Sequence, residues 1–442
     1  MWKRFILSFI LACGISPTFG QTAPVGSPAS AKMQWFSDAK LGIFIHWGIY
    51  AVDGVDESWG FHNRKLSWTD YMRQLDGFTA SRYDPSAWAS LIRESGARYA
   101  VMTTKHHDGV ALWDTREPHY DVKDNTPAGR DLLSPLFDAL RREGLRTGAY
   151  YSLIDWSHPD YPGFLKDSAR YKTADDPARW ARFTRFNHAQ IAEVDRLLKP
   201  DLWWFDGDWE HKAQEWQAET IRRDILKSNP SAIINGRLAG FGDYATPEQN
   251  FPVKRPEARW WELCMTLNNN WGYQPSDTNW KTPYEVISIF ADVVSNGGNL
   301  LLDIGPREDG TLAPEQVNVL RELGRWNRKH SEAVFGTLAG LPPGHFYGPS
   351  TISKDSTDLF LFLPGRVSGK VVVRGLSTPV EGIRVIGHQR EIPWKVVGKI
   401  SWSKVPGLVY IDVPADLQDE HLTVLRVKLK GPLRLYRGEG GL

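Results

Sequence analysis

Cysteine is scarce in this chain of 442 residues, which contains only Cys13 and Cys264. Residues 1–20 have the pattern of a secretory signal peptide, because two basic residues precede an apolar run and small residues follow it. Cleavage after residue 20 would remove Cys13 and leave Cys264 alone. The mature chain is therefore predicted to have no internal disulfide and no thiolate cluster for structural zinc.

Excess charge of either sign is also missing, since 53 lysines and arginines face 52 acidic residues. No basic patch or acidic tail stands out, so we expect neither nucleic acid nor an anionic membrane as a partner. The apolar run of the signal is too short to span a bilayer, and no membrane span is predicted. The chain is predicted to be exported, to the periplasm or outside the cell. A lipoprotein signal, Ile10-Leu11-Ala12-Cys13, is the alternative, in which Cys13 would carry a lipid anchor.

A phosphate-binding glycine loop is missing near the start of the chain, which disfavours a doubly wound nucleotide-binding sheet. Strand and helix patterns instead alternate over residues 35–335, and short strands between turns follow after about residue 340. The predicted fold class is α/β, a (β/α)8-like catalytic barrel followed by a C-terminal β-sandwich. The predicted domains are a signal peptide (1–20), a linker (21–31), the barrel (32–338) and the sandwich (339–442).

The sequence predicts six strands of the barrel from apolar runs that end at turn residues. The sixth and eighth strands of an eight-stranded barrel have no clear pattern. The predicted strands comprise residues 41–46, 98–104, 145–152, 201–205, 231–235 and 299–304.

Tryptophan, by contrast, is abundant, with 20 residues, many of them beside glycine, histidine or acids as in carbohydrate sites. One such stretch runs from the apolar residues 202–205 into Asp206 and Gly207. A buried parallel strand there would place Asp206 at its C-terminal end, where α/β barrels carry their catalytic groups. A core strand followed by a solvated acidic turn is the alternative interpretation.

Other polar residues follow the predicted strands and are expected at the same face of the barrel. Neighbouring residues on a strand point to opposite sides, and no second ligand motif accompanies the adjacent histidines. We therefore predict no metal and no cofactor, and neutral imidazoles that hydrogen-bond to hydroxyl groups. These strand-end residues are His46, Lys105, His106, His107, Asp108, Tyr151 and Arg237.

A glycosidase needs a second carboxylate, and the sequence offers Glu57, Asp208, Glu210 and Glu262. Two tryptophans directly precede Glu262 and would raise its pKa by desolvation, which suits an acid. Asp206, near Arg237 and the histidines, is better placed to stay charged. The residues alone predict a two-carboxylate glycoside hydrolase.

Five motifs within residues 35–306 carry a resemblance to a known family. They are 35–48 (WFSDAKLGIFIHWG), 105–113 (KHHDGVALW), 204–207 (WFDG), 261–264 (WELC) followed by 271–273 (WGY), and 297–306 (GGNLLLDIGP). In sequence and in order they resemble the α-L-fucosidases of glycoside hydrolase family 29. The resemblance implies a (β/α)8-like barrel with a C-terminal β-sandwich, and hydrolysis of α-L-fucosides with retention and without metal.

The resemblance also implies roles for individual residues. Asp206 would be the nucleophile and Glu262 the acid/base. The first long loop departs from the usual Glu-Trp-Tyr, because this chain has Glu57-Ser58-Trp59-Gly60, and Asp303 replaces the usual asparagine, which we interpret as a structural variation. The residues expected to hold the sugar are His46, Glu57, Trp59, His106, His107, Trp113, Tyr151, Trp204, Arg237 and Trp271.

The sequence thus predicts an exported, retaining exo-glycosidase that removes terminal α-L-fucosyl residues from fucosylated oligosaccharides or glycoconjugates. A hydrolase for a related sugar with an axial hydroxyl, such as galactose, is one alternative. A catalytically weak protein that binds fucose or galactose is the other.

Overall fold

The computed structural model of the chain describes residues 31–251 and 253–438. The predicted signal peptide with Cys13, and the predicted linker as far as residue 30, lie outside the described residues. Across the described part, none of the helices combines the length and the apolar character that crossing a membrane requires.

A curved sheet of parallel strands forms the centre of the first domain. Its strands are β1 (Leu41–Ile45), β2 (Tyr99–Lys105), β3 (Arg146–Ser152), β4 (Leu202–Asp206), β5 (Ile233–Ile234), β6 (Glu262–Met265) and β7 (Asn299–Ile304). They lie side by side in the order β5-β4-β3-β2-β1-β7-β6. Nearly every residue of these strands is buried, as expected for parallel strands covered on both faces. The six predicted strands are confirmed within two residues at each end.

The two ends of this sheet, β5 and β6, are joined by residues 244–248, which we call the seam segment. Tyr244 pairs with Asn235 beside β5, while Ala245 and Glu248 pair with Trp261 and Cys264, all in parallel orientation. These isolated bridges close the sheet into the predicted (β/α)8-like barrel. Because Pro247 lacks an N–H group, the seam segment makes a broken ladder rather than a regular strand.

Helices cover the outside of the barrel, and some of them begin at residues whose side chains satisfy free N–H groups. The Asp84 side chain accepts from the N–H groups of Ser86 and Ala87, and Thr282 forms a capping box with Glu285. The helices are α1 (Gln34–Ala39), α2 (Trp59–His62), α3 (Trp68–Met72), α4 (Pro85–Glu94), α5 (Val122–Asn125), α6 (Leu133–Arg142), α7 (Pro177–Leu198), α8 (Ala213–Trp216), α9 (Ala218–Ser228), α10 (Pro283–Ser295) and α11 (Pro314–Val334).

Two helical regions are irregular. The apolar and charged pattern of residues 213–227 predicts a single helix, but Gln217, whose φ of 54° is left-handed, divides it into α8 and α9. The helix that begins at Pro314 continues to Val334 and is interrupted at His330.

The C-terminal part is the predicted β-sandwich of two antiparallel sheets. One sheet has the order β12-β15-β10-β9-β8 and the other β11-β14-β13, with an aliphatic core between them. Their strands are β8 (Leu338–Ala339), β9 (Ser350–Ile352), β10 (Asp358–Leu363), β11 (Lys370–Arg374), β12 (Val380–Val385), β13 (Trp394–Val397), β14 (Leu408–Asp412) and β15 (Thr423–Leu429). The Trp326 indole of α11 donates to the carbonyl of Leu422, which ties the sandwich to the barrel.

Candidate active site

Asp206 is the last residue of β4, and its carboxylate is held from three sides. Its Oδ1 lies 3.0 Å from Arg237 Nη1, and its Oδ2 accepts a hydrogen bond of 3.0 Å from the Tyr150 hydroxyl. His107 Nε2 lies 3.7 Å from the same Oδ2. Sheet hydrogen bonds fix the backbone, so the carboxylate has a defined position at the C-terminal face of the barrel.

Arg237 connects Asp206 to a second carboxylate, Glu248. Arg237 Nη2 lies 2.6 Å from Glu248 Oε2, while its Nε donates to the Thr246 hydroxyl at 3.1 Å. The guanidinium lies over the Trp204 ring, 4.6 Å from the ring centre. The Glu248 side chain is partly exposed, whereas the arginine is mostly buried. One guanidinium therefore holds two carboxylates at the same face, and Glu248 is not among the sequence-predicted candidates.

Glu262 lies at the other end of its strand, because it is the first residue of β6. It is 0% exposed, and its two oxygens accept hydrogen bonds from the Tyr99 hydroxyl (2.5 Å) and the Trp204 indole (3.0 Å). Burial raises the pKa of Glu262 to about 7, as the tryptophans before it predict. The carboxyl group nevertheless lies inside the barrel, below Trp204, with both oxygens occupied.

The other three carboxylates considered from the sequence are engaged in the loops. Asp208 Oδ2 accepts from the N–H of Ala239 at 2.7 Å. Glu210 accepts hydrogen bonds from Trp156 and Tyr161. Glu57 is buried, its Oε1 accepts from the Gly272 N–H at 2.5 Å, and burial raises its pKa to about 7. Glu57 thus supports the loop that carries Trp271.

The three predicted histidines lie together at this face. Each uses Nδ1 for a protein contact, to Asp303 Oδ1 (2.7 Å) for His46, to Ser58 Oγ (2.6 Å) for His106 and to Ser152 Oγ (2.6 Å) for His107. Burial lowers the pKa of all three, that of His107 to about 3. The imidazoles are therefore neutral at physiological pH. Within the described residues, Nε2 of His46 and of His106 has no hydrogen-bond partner and can meet a hydroxyl group.

Of two adjacent tyrosines on β3, the structure brings Tyr150 and not the predicted Tyr151 into the site. The Tyr151 hydroxyl points behind the sheet, where it contacts Asn187 and Gln190 of α7. Tyr150 points into the barrel, contacts Asp206 and stacks on His106 with ring centres 5.7 Å apart. Successive strand residues alternate in direction, so an error of one position exchanges the two roles.

Comparisons with known proteins show the family of this chain. A family model described as alpha-L-fucosidase matches residues 21–332. The chain belongs to the α-L-fucosidase family. The tissue alpha-L-fucosidase of Homo sapiens is 29% identical over 419 residues, which cover 86% of this chain and 87% of the human one. The chain is thus a glycoside hydrolase that acts on α-L-fucosides.

Solved structures of the fucosidase family have the same fold. Alpha-L-fucosidase isoenzyme 1 from Paenibacillus thiaminolyticus is similar with a TM-score of 0.82 and 32% identity, covering 91% of this chain and 100% of that chain. A family 29 alpha-L-fucosidase from Bacteroides thetaiotaomicron has a TM-score of 0.82 and 27% identity, covering 95% of this chain and 100% of that chain. That second structure is described as a trapped covalent intermediate, in complex with 2-fluoro-fucosyl fluoride.

Aromatic side chains surround the candidate site, although one predicted member is elsewhere. Trp271 packs on His46 with ring centres 4.9 Å apart, and Trp59 packs on His107 at 5.5 Å. Trp113 is buried behind the sheet and donates to Glu193 of α7, so it is not brought to the site.

Trp209, which is not among the predicted site residues, is 52% exposed at the mouth of the site. Its ring is stacked on Trp59 with centres 6.3 Å apart and meets the His107 ring edge-on at 5.7 Å. Trp209 follows Asp206 by three residues, just beyond the end of β4, and this position in the sequence could have indicated that its ring lies at the site.

The described part of this fucosidase-family chain contains no group of three or more His, Cys, Asp or Glu side chains arranged to hold a metal ion. His107 and Asp206 approach each other, and His46 approaches Asp303, but each is a pair without a third ligand.

Proposed function

We propose that α-L-fucoside hydrolysis by this chain uses Asp206 as the nucleophile of a double displacement. The observation that supports this most is the position of its carboxylate, held by Arg237 and Tyr150 at the end of β4. A nucleophile must be held in line with the anomeric carbon, and a sheet residue with two fixed partners meets that need. Asp206 attacks C1, and the glycosidic oxygen leaves as the covalent fucosyl ester forms.

We propose Glu248, in place of Glu262, as the acid/base residue. Glu248 is partly exposed at the same face as Asp206, and both carboxylates bind one guanidinium. Retaining glycosidases place their two carboxyl groups roughly 5–5.5 Å apart. Two carboxylates that bind the same guanidinium are compatible with such a distance. Glu262 has no exposed surface and would have to leave Tyr99 and Trp204 to reach a leaving oxygen.

In the first step Glu248 gives a proton to the leaving oxygen. In the second step it takes a proton from water, whose oxygen attacks C1 and releases Asp206. The fucose product then has the α configuration of the substrate. The role of Arg237 is to hold both carboxylates in place through the two nitrogens of its fork.

The neutral histidines and the aromatic rings are proposed to select fucose. Free Nε2 atoms of His46 and His106 bind sugar hydroxyls, and Trp271 gives an apolar face to the ring or its methyl group. Terminal fucosyl groups of oligosaccharides or glycoconjugates are the proposed substrates. Export, as the N-terminal pattern predicts, would bring the enzyme to such glycans outside the cytoplasm.

Azide rescue of carboxylate variants tests the roles, with an aryl α-L-fucoside as substrate. In Asp206→Ala, azide enters the face that the nucleophile occupied, so we expect the inverted β-fucosyl azide. In Glu248→Ala the covalent intermediate still forms from an activated aryl fucoside, and azide then attacks it to give the retained α-fucosyl azide. Product configuration is read by NMR.

Glu262→Ala is the comparison variant, since it removes the carboxylate from the barrel interior only. We expect no azide product from it. Retained α-fucosyl azide from Glu262→Ala, with none from Glu248→Ala, would return the acid/base role to Glu262. A wild-type enzyme that first releases β-L-fucose would overturn the double displacement.

A further inference from the structure

A cavity lies far from the catalytic face, between the C-terminal end of α4 and the helix α11. Its volume is about 440 Å³, which is within the range of small-molecule sites. Its walls include three arginines, an asparagine, a serine and a phenylalanine: Arg93, Arg98, Arg328, Asn327, Ser331 and Phe335.

The cavity and the active site lie at opposite ends of the same strand. Arg98 directly precedes β2, whereas His106 directly follows it. Seven strand residues span roughly 23 Å, so a ligand in the cavity cannot touch the groups around Asp206. The cavity is a separate site and not an extension of the fucoside pocket.

The arginines give the cavity an uncompensated positive charge. Within the described residues, neither Arg93 nor Arg98 has a carboxylate within ion-pair distance, and Arg328 contacts only the backbone carbonyl of Glu94, at 3.4 Å. Glu94 also lines the cavity, but its carboxylate pairs with Arg321 at 3.8 Å. Guanidinium groups that converge without an acidic partner are suited to bind an oxyanion.

Arg98 is held in position by a ring. Its guanidinium lies 4.3 Å from the centre of Phe335, and burial together with the nearby Arg93 lowers the pKa of Arg98. An anion placed between Arg93 and Arg98 would relieve this repulsion. The fixed guanidinium therefore needs little ordering when a ligand binds.

Asn327 adds an unused hydrogen-bond acceptor to the wall. Its Nδ2 donates to the carbonyl of Ser95 at 2.8 Å, which fixes the amide, while its buried Oδ1 has no partner within the described residues. Buried polar atoms of folded proteins are normally paired. Gly96, with φ 92°, permits this close approach, because a Cβ there would meet the asparagine side chain at 2.8–3.1 Å. A ligand with a hydroxyl group would satisfy the free acceptor.

We propose that this cavity binds a small hydroxylated oxyanion, a phosphate or sulfate monoester such as a phosphorylated or sulfated sugar. The anionic group lies between Arg93 and Arg98, and a hydroxyl group of the ligand donates to Asn327 Oδ1. Arg328 and Ser331 close the site at α11. Nothing in the hydrolysis of fucosides requires this ligand, so the site is additional to the active site.

Isothermal titration of the full chain with glucose 6-phosphate tests the proposal, at constant ionic strength set by chloride. We expect saturable one-to-one binding, tighter than that of inorganic phosphate, and no binding of glucose. Arg93→Gln removes an exposed guanidinium without touching the core, and affinity should fall about tenfold or more. Ser331→Asp places a carboxylate in the wall and should abolish binding. Inorganic sulfate and galactose 6-sulfate distinguish sulfate from phosphate esters.

Arg366→Gln is the matched control, because it removes an exposed arginine of the sandwich that lies outside the cavity. Its affinity for glucose 6-phosphate should equal that of the wild type. Hydrolysis of an aryl fucoside by Arg93→Gln should be unchanged, which shows that the fold persists. The proposal is overturned if glucose 6-phosphate does not bind, if it binds no tighter than inorganic phosphate, or if Arg93→Gln and Ser331→Asp bind it as the wild type does.

Discussion

Asp303 Oδ1 lies 2.7 Å from His46 Nδ1, and both side chains are buried. Burial lowers the pKa of His46 and raises that of Asp303, so it disfavours the charged form of both groups. The contact fixes the orientation of the imidazole and leaves its Nε2 toward the sugar site. Asp303 therefore has a second task beyond the structural one expected from the sequence, because it positions His46.

Asp303→Asn should keep this arrangement, since the amide oxygen still accepts from Nδ1–H. We expect kcat/KM for an aryl fucoside within about threefold of the wild type. Asp303→Leu has a similar volume but no acceptor, and should lose about ten- to hundredfold, as expected for a lost buried hydrogen bond. Equal activity of both variants, measured by steady-state kinetics, would show that His46 does not depend on residue 303.

Tyr150 and Tyr151 form a matched pair of neighbouring hydroxyl groups. Tyr150→Phe removes the hydrogen bond of 3.0 Å to Asp206 Oδ2 but keeps the ring stacked on His106. We expect kcat to fall about ten- to hundredfold, because a hydrogen bond to a charged group is lost. Tyr151→Phe removes contacts with Lys105 of β2 and with α7, behind the sheet, and should alter thermal stability more than kcat. A larger loss of kcat in Tyr151→Phe would contradict the geometry described for β3.

Glu262→Gln tests the buried position of this carboxyl group through stability. Its pKa is about 7 in the folded chain and about 4.5 when unfolded, so the folded state holds the proton more tightly. The stability that depends on this proton is fully present below about pH 4.5 and is lost as pH rises through about 7. Glutamine stays neutral at every pH.

The free energy of unfolding of Glu262→Gln, relative to the wild type, should therefore increase by about 3 kcal/mol between pH 4.5 and pH 8. Urea denaturation across this range measures it. Glu257→Gln, at an exposed loop position, is the control and should show no such slope. A flat difference for Glu262→Gln would mean that the carboxyl group is solvated.

Trp209→Ala should weaken the interaction with the leaving group more than the interaction with the fucosyl group. The exposed ring at the mouth can stack on the sugar attached to fucose, a contact worth about threefold to tenfold in kcat/KM. We expect that loss for a fucosyl disaccharide and no change for α-L-fucosyl fluoride, whose leaving group is one atom. Trp402→Ala, which removes a 71% exposed tryptophan of the sandwich, should change neither. An equal loss with both substrates would place Trp209 against the fucose itself.

Much of the fold follows from local sequence signals. The apolar run before Gly207 predicts β4 and the place of Asp206, and Asp84-Pro85 and Thr282 predict helix starts that the structure confirms. Such signals are strong because a buried strand needs consecutive apolar residues and a helix start needs an acceptor side chain.

Sequence signals are weaker where function depends on the face of the strand to which a side chain points and on the end of the strand at which it lies. Adjacent strand residues point to opposite faces, and two consecutive tyrosines do not show which of them points into the barrel. For this reason Tyr151 was expected where Tyr150 lies. Glu262 has the desolvated surroundings of an acid, but it begins its strand instead of ending it. Glu248 follows Thr246-Pro247, a segment without an apolar run, and only the spacing of two from Tyr244 to Thr246 to Glu248 hints at a strand.

The two proposed catalytic carboxylates are supported by very different amounts of backbone pairing. Asp206 ends a regular strand with neighbours on both sides, whereas Glu248 ends the seam segment, which has only isolated bridges. Amide hydrogens of residues 244–248 should therefore exchange with deuterium sooner than those of β4. Because the seam segment has few partners, insertions there can shift the proton donor relative to the leaving oxygen while the attacking oxygen stays in place. Changes confined to the seam segment should therefore alter which glycosidic linkage is cleaved, while β4 and the rest of the barrel stay as they are.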